Sequence, residues 1–228
     1  MVYLEGPRLG SASGRTDSYV VFAHGYGADG RDLIDLAEVW RSQLPNTEFF
    51  SAHAPFPFEG GPFGRMWFSL ENWEPSLLVR TDPQARAIQA AYFKGAEKAA
   101  AILRAQIEKD LQRLNLTMDR VALVGFSQGT MVSLLTALSL SDQPAGVLGY
   151  SGAFLTIEDF VPASKPPVRL IHGDQDMVLD IEAMNIAQNA LKKLDVPVET
   201  YTRPGLGHSI DQDGLHLGEE FLTKLLKQ

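Results

Sequence analysis

Arg120-Val121-Ala122-Leu123-Val124-Gly125-Phe126-Ser127-Gln128-Gly129 is the stretch whose reading decides the fold. Arg120–Gly125 reads as a short buried strand, and Thr130–Leu140 as a mostly apolar helix behind it. Between them lies G-x-S-x-G, at Gly125, Ser127 and Gly129. A chain that reverses sharply between strand and helix strains the residue at the bend, and glycines two positions either side leave room for it. The bend lifts the Ser127 hydroxyl off the sheet edge and aims the following N–H groups at the same spot. The N-terminus of the helix favours developing negative charge there. The plain alternative is a tight packing turn in which Ser127 only caps the helix. The strand and helix around the motif favour a nucleophile.

Working outward, short apolar runs alternate with helical patterns, which predicts βαβ units and a mostly parallel sheet flanked by helices. Tyr19–Ala23 and Thr47–Ala52 read as strands before the elbow, and Val147–Tyr150, Val168–Ile171 and Val198–Tyr201 as strands after it. Leu33, Leu36, Ala37, Trp40 and Leu44 recur at helical spacing until Pro45. Asp82-Pro83 has the form of a cap followed by proline at the first helical position. Ile88, Tyr92, Ala99, Ile102, Ile107, Leu111 and Leu114 then mark one side of a long helix. Further helices are expected near Ile181–Leu194 and Leu215–Leu226. From His53 to Thr81 the chain is rich in Pro, Gly and aromatics without a steady period. Such a length in a compact domain predicts a functional loop.

The whole chain has 228 residues, 45% of them hydrophobic, which suits one domain spanning residues 1–228 with a sizeable core. A net charge of −8, with no Lys/Arg cluster, argues against a nucleic-acid partner. The absence of cysteine removes disulfides, thiolate nucleophiles and thiolate metal ligands together. The first residues lack the basic start and apolar run of a secretory signal, and no run approaches the length of a membrane span. A cytoplasmic protein without transmembrane segment, metal or cofactor is expected. No H-x-H or H-E-x-x-H spacing supports a metal site.

A serine hydroxyl needs a general base, usually imidazole. Of the five histidines, His172, His208 and His216 follow Ser127. His216 falls in the last helical pattern and His172 closes a buried strand. His208 lies in the glycine-rich Arg203-Pro204-Gly205-Leu206-Gly207-His208-Ser209, a loop that can carry an imidazole back over the sheet edge. For the acid, His172-Gly173-Asp174-Gln175-Asp176 ends a strand in a turn. Asp174 is placed to bond the turn's own backbone, and Asp180 to cap the next helix. Asp176 is the preferred candidate, with Asp174 its rival.

These segments, with His24-Gly25-Tyr26-Gly27-Ala28-Asp29-Gly30, Ala54-Pro55, Trp67-Phe68 and Gly207-His208, give the chain a resemblance to the phospholipase/carboxylesterase family, which includes the acyl-protein thioesterases. The resemblance implies an α/β-hydrolase fold, and the chain's length leaves no room for a large cap domain. The resemblance also implies hydrolysis of carboxylic esters or thioesters, and an open cleft is expected to take short- to medium-chain acyl groups. It selects Asp176 over Asp174 and implies an oxyanion hole made by the N–H groups of Tyr26 and Gln128. The Gln128 assignment also follows from the elbow. Where this chain has Tyr26 the family commonly has leucine, so a tyrosine ring facing the cleft would narrow the acyl site. The family's groove-bordering segment corresponds to the stretch holding Phe56, Phe58, Phe63, Met66, Trp67, Phe68, Leu70 and Trp73. Trp67 and Phe68 are the foremost candidates for substrate contact, and Met177 and Val178 are further ones. The alternative is that these aromatics anchor a long loop.

A peptidase or amidase can use the same triad but often carries an added domain. Dienelactone hydrolases use cysteine and dehalogenases an aspartate at the elbow, and this chain has neither. A binding module on the same fold generally loses a triad member. The substrate is an acylated or small molecule, and the protein a monomer or homodimer.

Overall fold

The computed structural model describes residues 3–78, 80, 82–157 and 159–227. Thr81, the far end of the loop read from the sequence, lies outside them. The strands are β1 (Arg8–Leu9), β2 (Ser18–Ala23), β3 (Thr47–Ala52), β4 (Phe56–Pro57), β5 (Arg65–Met66), β6 (Val121–Phe126), β7 (Gly146–Tyr150), β8 (Val168–Gly173) and β9 (Val198–Arg203). The helices are α1 (Arg31–Trp40), α2 (Pro83–Leu114), α3 (Gln128–Leu138), α4 (Glu182–Lys193) and α5 (Gln212–Leu226).

Seven strands form one sheet in the order β1-β3-β2-β6-β7-β8-β9. From β3 to β9 every pairing is parallel, and only β1 runs antiparallel, against β3. The alternation of side chains along each strand divides the core into two layers. Val21, Leu123, Val147 and Leu170 face a layer closed by α2, α3 and α4. Val20, Phe22, Ala122, Val124, Leu148 and Ile171 face the layer closed by α1 and α5. Burial on both faces is the reason these strands read as continuous apolar runs rather than as alternating ones.

Three differences from the sequence reading have local causes. Helix α1 ends at Trp40, residues 41–43 continue as turns, and Pro45 disfavours the helical conformation at Leu44. Helix α3 starts at Gln128, directly on the elbow, and stops at Leu138, leaving Leu140 buried in the following turn. Strand β1 carries no pattern of its own. It is held by Arg8, which bonds Glu48 at 3.1 Å and the buried Asp110 at 2.7 Å. Asp82 caps α2 as expected, its carboxylate accepting from Ala85 N at 3.0 Å with Pro83 at the first position.

The loop between β3 and α2 folds back as the small hairpin β4–β5, Phe56 pairing with Met66 and Pro57 with Arg65, and then enters a short 3₁₀ turn at Pro75–Leu78. It crosses the carboxyl ends of β2 and β6. In an open parallel sheet that is where ligands bind.

Candidate active site

Ser127 stands at φ 54°, ψ −118°, a conformation that costs an L-residue on the order of 1–3 kcal/mol. The surroundings impose it. Ser127 N bonds Tyr150 O on β7 at 2.9 Å, and Thr130 N bonds Ser127 O at 3.0 Å. The flanking glycines are required by close approach. A Cβ on Gly129 would lie 1.8 Å from Ala23 O, and one on Gly125 would lie 2.4 Å from Thr130 N. Gln128, as the first residue of α3, has an N–H that no intrahelical carbonyl can reach.

His208 and Asp176 come together from separate loops, His208 Nδ1 lying 2.7 Å from Asp176 Oδ2. The second carboxylate oxygen accepts the N–H groups of Val178 and Leu179, both at 2.9 Å. Burial pushes the Asp176 pKa up, but the hydrogen bonds from Leu179, His208 and Val178 outweigh it, and the carboxyl is held below its ordinary range. Its rival Asp174 is exposed, and its Oδ1 accepts Gly205 N at 2.7 Å, tying the acid turn to the histidine loop. Asp180 accepts Glu182 N at 2.8 Å at the start of α4.

Ser127 and His208 line one cavity of about 410 Å³, with Gly25, Tyr26, Phe126, Leu70, Trp73, Met131, Val178 and Leu179 among its walls. The His208 ring packs on Phe126 with centroids 4.9 Å apart. A hollow of about 770 Å³ lies elsewhere, between the C-terminal half of α2 and residues 140–143. It includes Met118 and Asp119, which precede β6, so it sits at the opposite end of that strand from Ser127. Volume does not locate the chemistry here.

Two expectations about the walls meet a different placement. Trp67 is 0% exposed and Phe68 is buried, and neither lines the cavity. They act as struts. Trp67 Nε1 donates to His24 O at 2.9 Å, Gln128 Oε1 accepts Trp67 N at 2.9 Å, and Gln128 Nε2 donates to Phe68 O at 2.8 Å. Met177, at 93% exposed, is not among the cavity walls, whereas Val178 borders them. The apolar lining from the long loop comes instead from Leu70 and Trp73.

Three further features escape the sequence. The Gln128 side chain ties the elbow to the long loop, but its motif position accepts any residue and carries no signal. His24 is fully buried, its Nε2 accepting Ala54 N at 3.0 Å, and burial lowers its pKa to about 4, so it stays neutral. His172, also neutral because burial lowers its pKa, donates through Nε2 to Leu179 O at 2.7 Å. The same nitrogen lies 3.3 Å from Asp176 Oδ2. Only its place four residues before Asp176 hints at that contact. His53 accepts Gly30 N at 3.0 Å, and His216 is exposed on α5.

A family model described as Phospholipase/Carboxylesterase matches residues 4–226. The chain belongs to that family. As a member it is a hydrolase of the carboxylesterase or thioesterase type, with the mostly parallel, helix-flanked sheet of the α/β-hydrolases. Acyl-protein thioesterase 1 of Gibberella zeae is 28% identical to this hydrolase, over 96% of this chain and 95% of that protein. Acyl-protein thioesterase 1 of Neurospora crassa is also 28% identical, over 96% and 91%. Among solved structures, esterase PE8 shares 38% identity and a TM-score of 0.87, covering 99% of this chain and 100% of that one. Acyl-protein thioesterase 2 of Zea mays, at 21% identity and a TM-score of 0.73 over 98% and 100%, supports the fold. Among the described residues, no helix of this family member is long and apolar enough to cross a membrane.

Proposed function

We propose that Ser127, His208 and Asp176 form a catalytic triad that cleaves carboxylic esters or thioesters of short- to medium-chain acyl groups through an acyl-enzyme. The observation that carries this reading is the 2.7 Å contact between His208 and Asp176 beside a strained serine that opens into the same cavity. An ionised Asp176 accepts the proton on His208 Nδ1, which leaves Nε2 as the basic nitrogen. Nε2 takes the Ser127 hydroxyl proton as Oγ attacks the acyl carbon. The carbonyl oxygen becomes an oxyanion, held by the N–H groups of Tyr26 and Gln128 at the positive end of α3. Collapse expels the alcohol or thiol, which receives the proton from His208 and leaves the acyl group on Oγ. Water then repeats the sequence, releasing the acid and free serine.

The acyl chain lies against Leu70, Trp73, Met131 and Val178, which border Ser127 in a cavity of about 410 Å³. The relatives named acyl-protein thioesterases favour thioesters among the candidate substrates. Residues 1–228 are read as one domain, which is supported by the single sheet running from Arg8 to Arg203 and by α5 packing back on it. A cytoplasmic place of action fits a chain without cysteine.

The test is hydrolysis of p-nitrophenyl esters and matching thioesters of graded acyl length by wild type and Ser127→Ala. Turnover by wild type that falls to background in the variant, with optimum rates at short to medium chains, supports the reading. Undiminished turnover by Ser127→Ala refutes it.

A further inference from the structure

Glu59 lies outside the cavity, yet one of its oxygens joins two of the cavity's walls. Tyr26, in the loop after β2, donates its hydroxyl to Glu59 Oε1. The same Oε1 accepts Leu70 N at 3.0 Å. Tyr26 and Leu70 both line the cavity with Ser127, whereas Glu59 itself is exposed at the bend of the β4–β5 hairpin. The Tyr26 ring stands edge-on to Phe58 of that hairpin, with centroids 4.9 Å apart and planes at 84°. Main-chain bonds dock the same loop on β5, Gly27 N reaching Arg65 O at 2.9 Å and Arg65 N reaching Ala28 O at 2.8 Å. Glu59 is therefore seated on a hairpin already fixed to the Tyr26 loop. The slight burial of Glu59 pushes its pKa up, but hydrogen bonds from Ser69, Tyr26, Leu70 and Glu71 outweigh it, so the carboxylate stays ionised as a strong acceptor.

Stability alone is a poor reason for this arrangement. Tyr26 is only half-buried and its partner Glu59 is exposed, so the net worth of a single bond between them is small. Its effect on geometry is larger, because a single atom sets the separation of two walls that come from different segments.

We propose that Glu59 is a positioning residue for substrate selectivity, holding Tyr26 and Leu70 together so that the cavity favours short acyl chains. The proposal rests on the reading of Ser127 as the nucleophile of this cavity. Without the clasp the tyrosine ring swings free of Leu70 and the wall opens.

The experiment compares kcat/KM for p-nitrophenyl acetate and p-nitrophenyl octanoate in wild type, Glu59→Ala, Glu59→Gln, Tyr26→Phe and the double variant Tyr26→Phe/Glu59→Ala. Thermal midpoints confirm that each is folded. Glu59→Ala shifts the octanoate-to-acetate ratio about fivefold or more toward octanoate, chiefly through a lower KM for octanoate. Tyr26→Phe shifts it in the same direction and adds nothing in the Glu59→Ala background. Glu59→Gln, which keeps an acceptor oxygen, retains the wild-type ratio. An active Glu59→Ala with an unchanged ratio, or effects that multiply in the double variant, overturns the proposal alone. A wild type that neither turns over nor reacts with a fluorophosphonate overturns the Ser127 reading, and this proposal with it.

Discussion

The two sides of the Ser127 cavity are built from similar parts, loops leaving the carboxyl ends of parallel strands, yet they are fixed by different means. On the side of Tyr26, buried side chains act as struts. His24 receives Ala54 N and offers its carbonyl to Trp67, and Gln128 grips the Trp67–Phe68 backbone. On the side of His208, the main chain does most of the lacing. Asp174 N bonds Arg203 O at 3.1 Å, Gln175 N bonds Leu206 O at 2.9 Å, and Asp176 receives two amides of its own turn. The struts are apolar or neutral and shielded from water. The lacing sits near the surface, with Met177 at its tip almost fully exposed. In the proposed mechanism, the side that presents main-chain N–H groups needs its backbone immobilised from beneath. The side proposed to move a proton needs a rigid carboxylate and an imidazole that still reaches solvent.

The largest effect that tests this contrast comes from the imidazole. His208→Ala is expected to lower turnover by a factor on the order of 10⁴–10⁶ while the melting temperature stays close to wild type, because no strut passes through that side chain. Initial rates and a thermal melt together check it. Next comes the choice of acid. Asp176→Asn offers a donor where His208 needs an acceptor and should cost about 10⁴ in kcat. Asp174→Asn retains a side-chain oxygen for Gly205 N and should leave kcat within about threefold. Equal losses in the two variants would erase the distinction between the residue that orients the base and the residue that laces the loops.

On the strut side the lever is pH. His24 has a pKa near 4 in the folded protein against 6.5 for an ordinary histidine, so the unfolded chain binds more protons between those values. The stability it contributes is complete above about pH 6.5 and is lost as pH falls toward 4, roughly 3 kcal/mol in all. His172, also lowered, acts in the same direction. Carboxylates held low, such as Asp176 and Asp110, add their loss only below about pH 4. Urea midpoints should therefore fall between pH 7 and pH 4.5, and His24→Gln, which keeps an acceptor for Ala54 N but cannot titrate, should flatten that decline. A wild-type midpoint that does not move over this range contradicts the strut. The smallest expected effect lies at the junction of the two sides. Ser127→Gly relieves the strained backbone and should raise stability by about 1 kcal/mol while abolishing turnover, whereas Ser127→Ala gives no such gain. Chemical denaturation of both variants separates the two.

The same contrast decides what the sequence makes legible. Ser127, Asp176 and His208 sit beside strand ends, where short motifs with glycines mark the turns, and their chain order restricts the partners. Local placement favours Asp176 with Asp174 as its rival, the resemblance selects between them, and the structure supplies a physical difference, since one faces His208 and the other faces Gly205 N. The struts leave no comparable trace. Gln128 and Trp67 are 61 positions apart, and a hydrogen bond between a side chain and a distant backbone has no periodicity. The aromatic loop misled for a related reason. Composition announces that Trp67 and Phe68 are large and apolar, but it cannot say whether they fill the core or line a cleft. Strand β1 escaped because two residues held by Arg8 to Glu48 and Asp110 make no pattern at all.

In the proposed mechanism one serine, on a strained turn at the end of β6, carries the chemistry. The most direct measurement is to treat the wild type with a fluorophosphonate and map the adduct by peptide mass spectrometry, with Ser127→Ala alongside. A single adduct on Ser127, absent from the variant and accompanied by complete loss of esterase activity in the labelled protein, is the result predicted. An adduct on another residue, or a fully labelled protein that still hydrolyses esters, would contradict it.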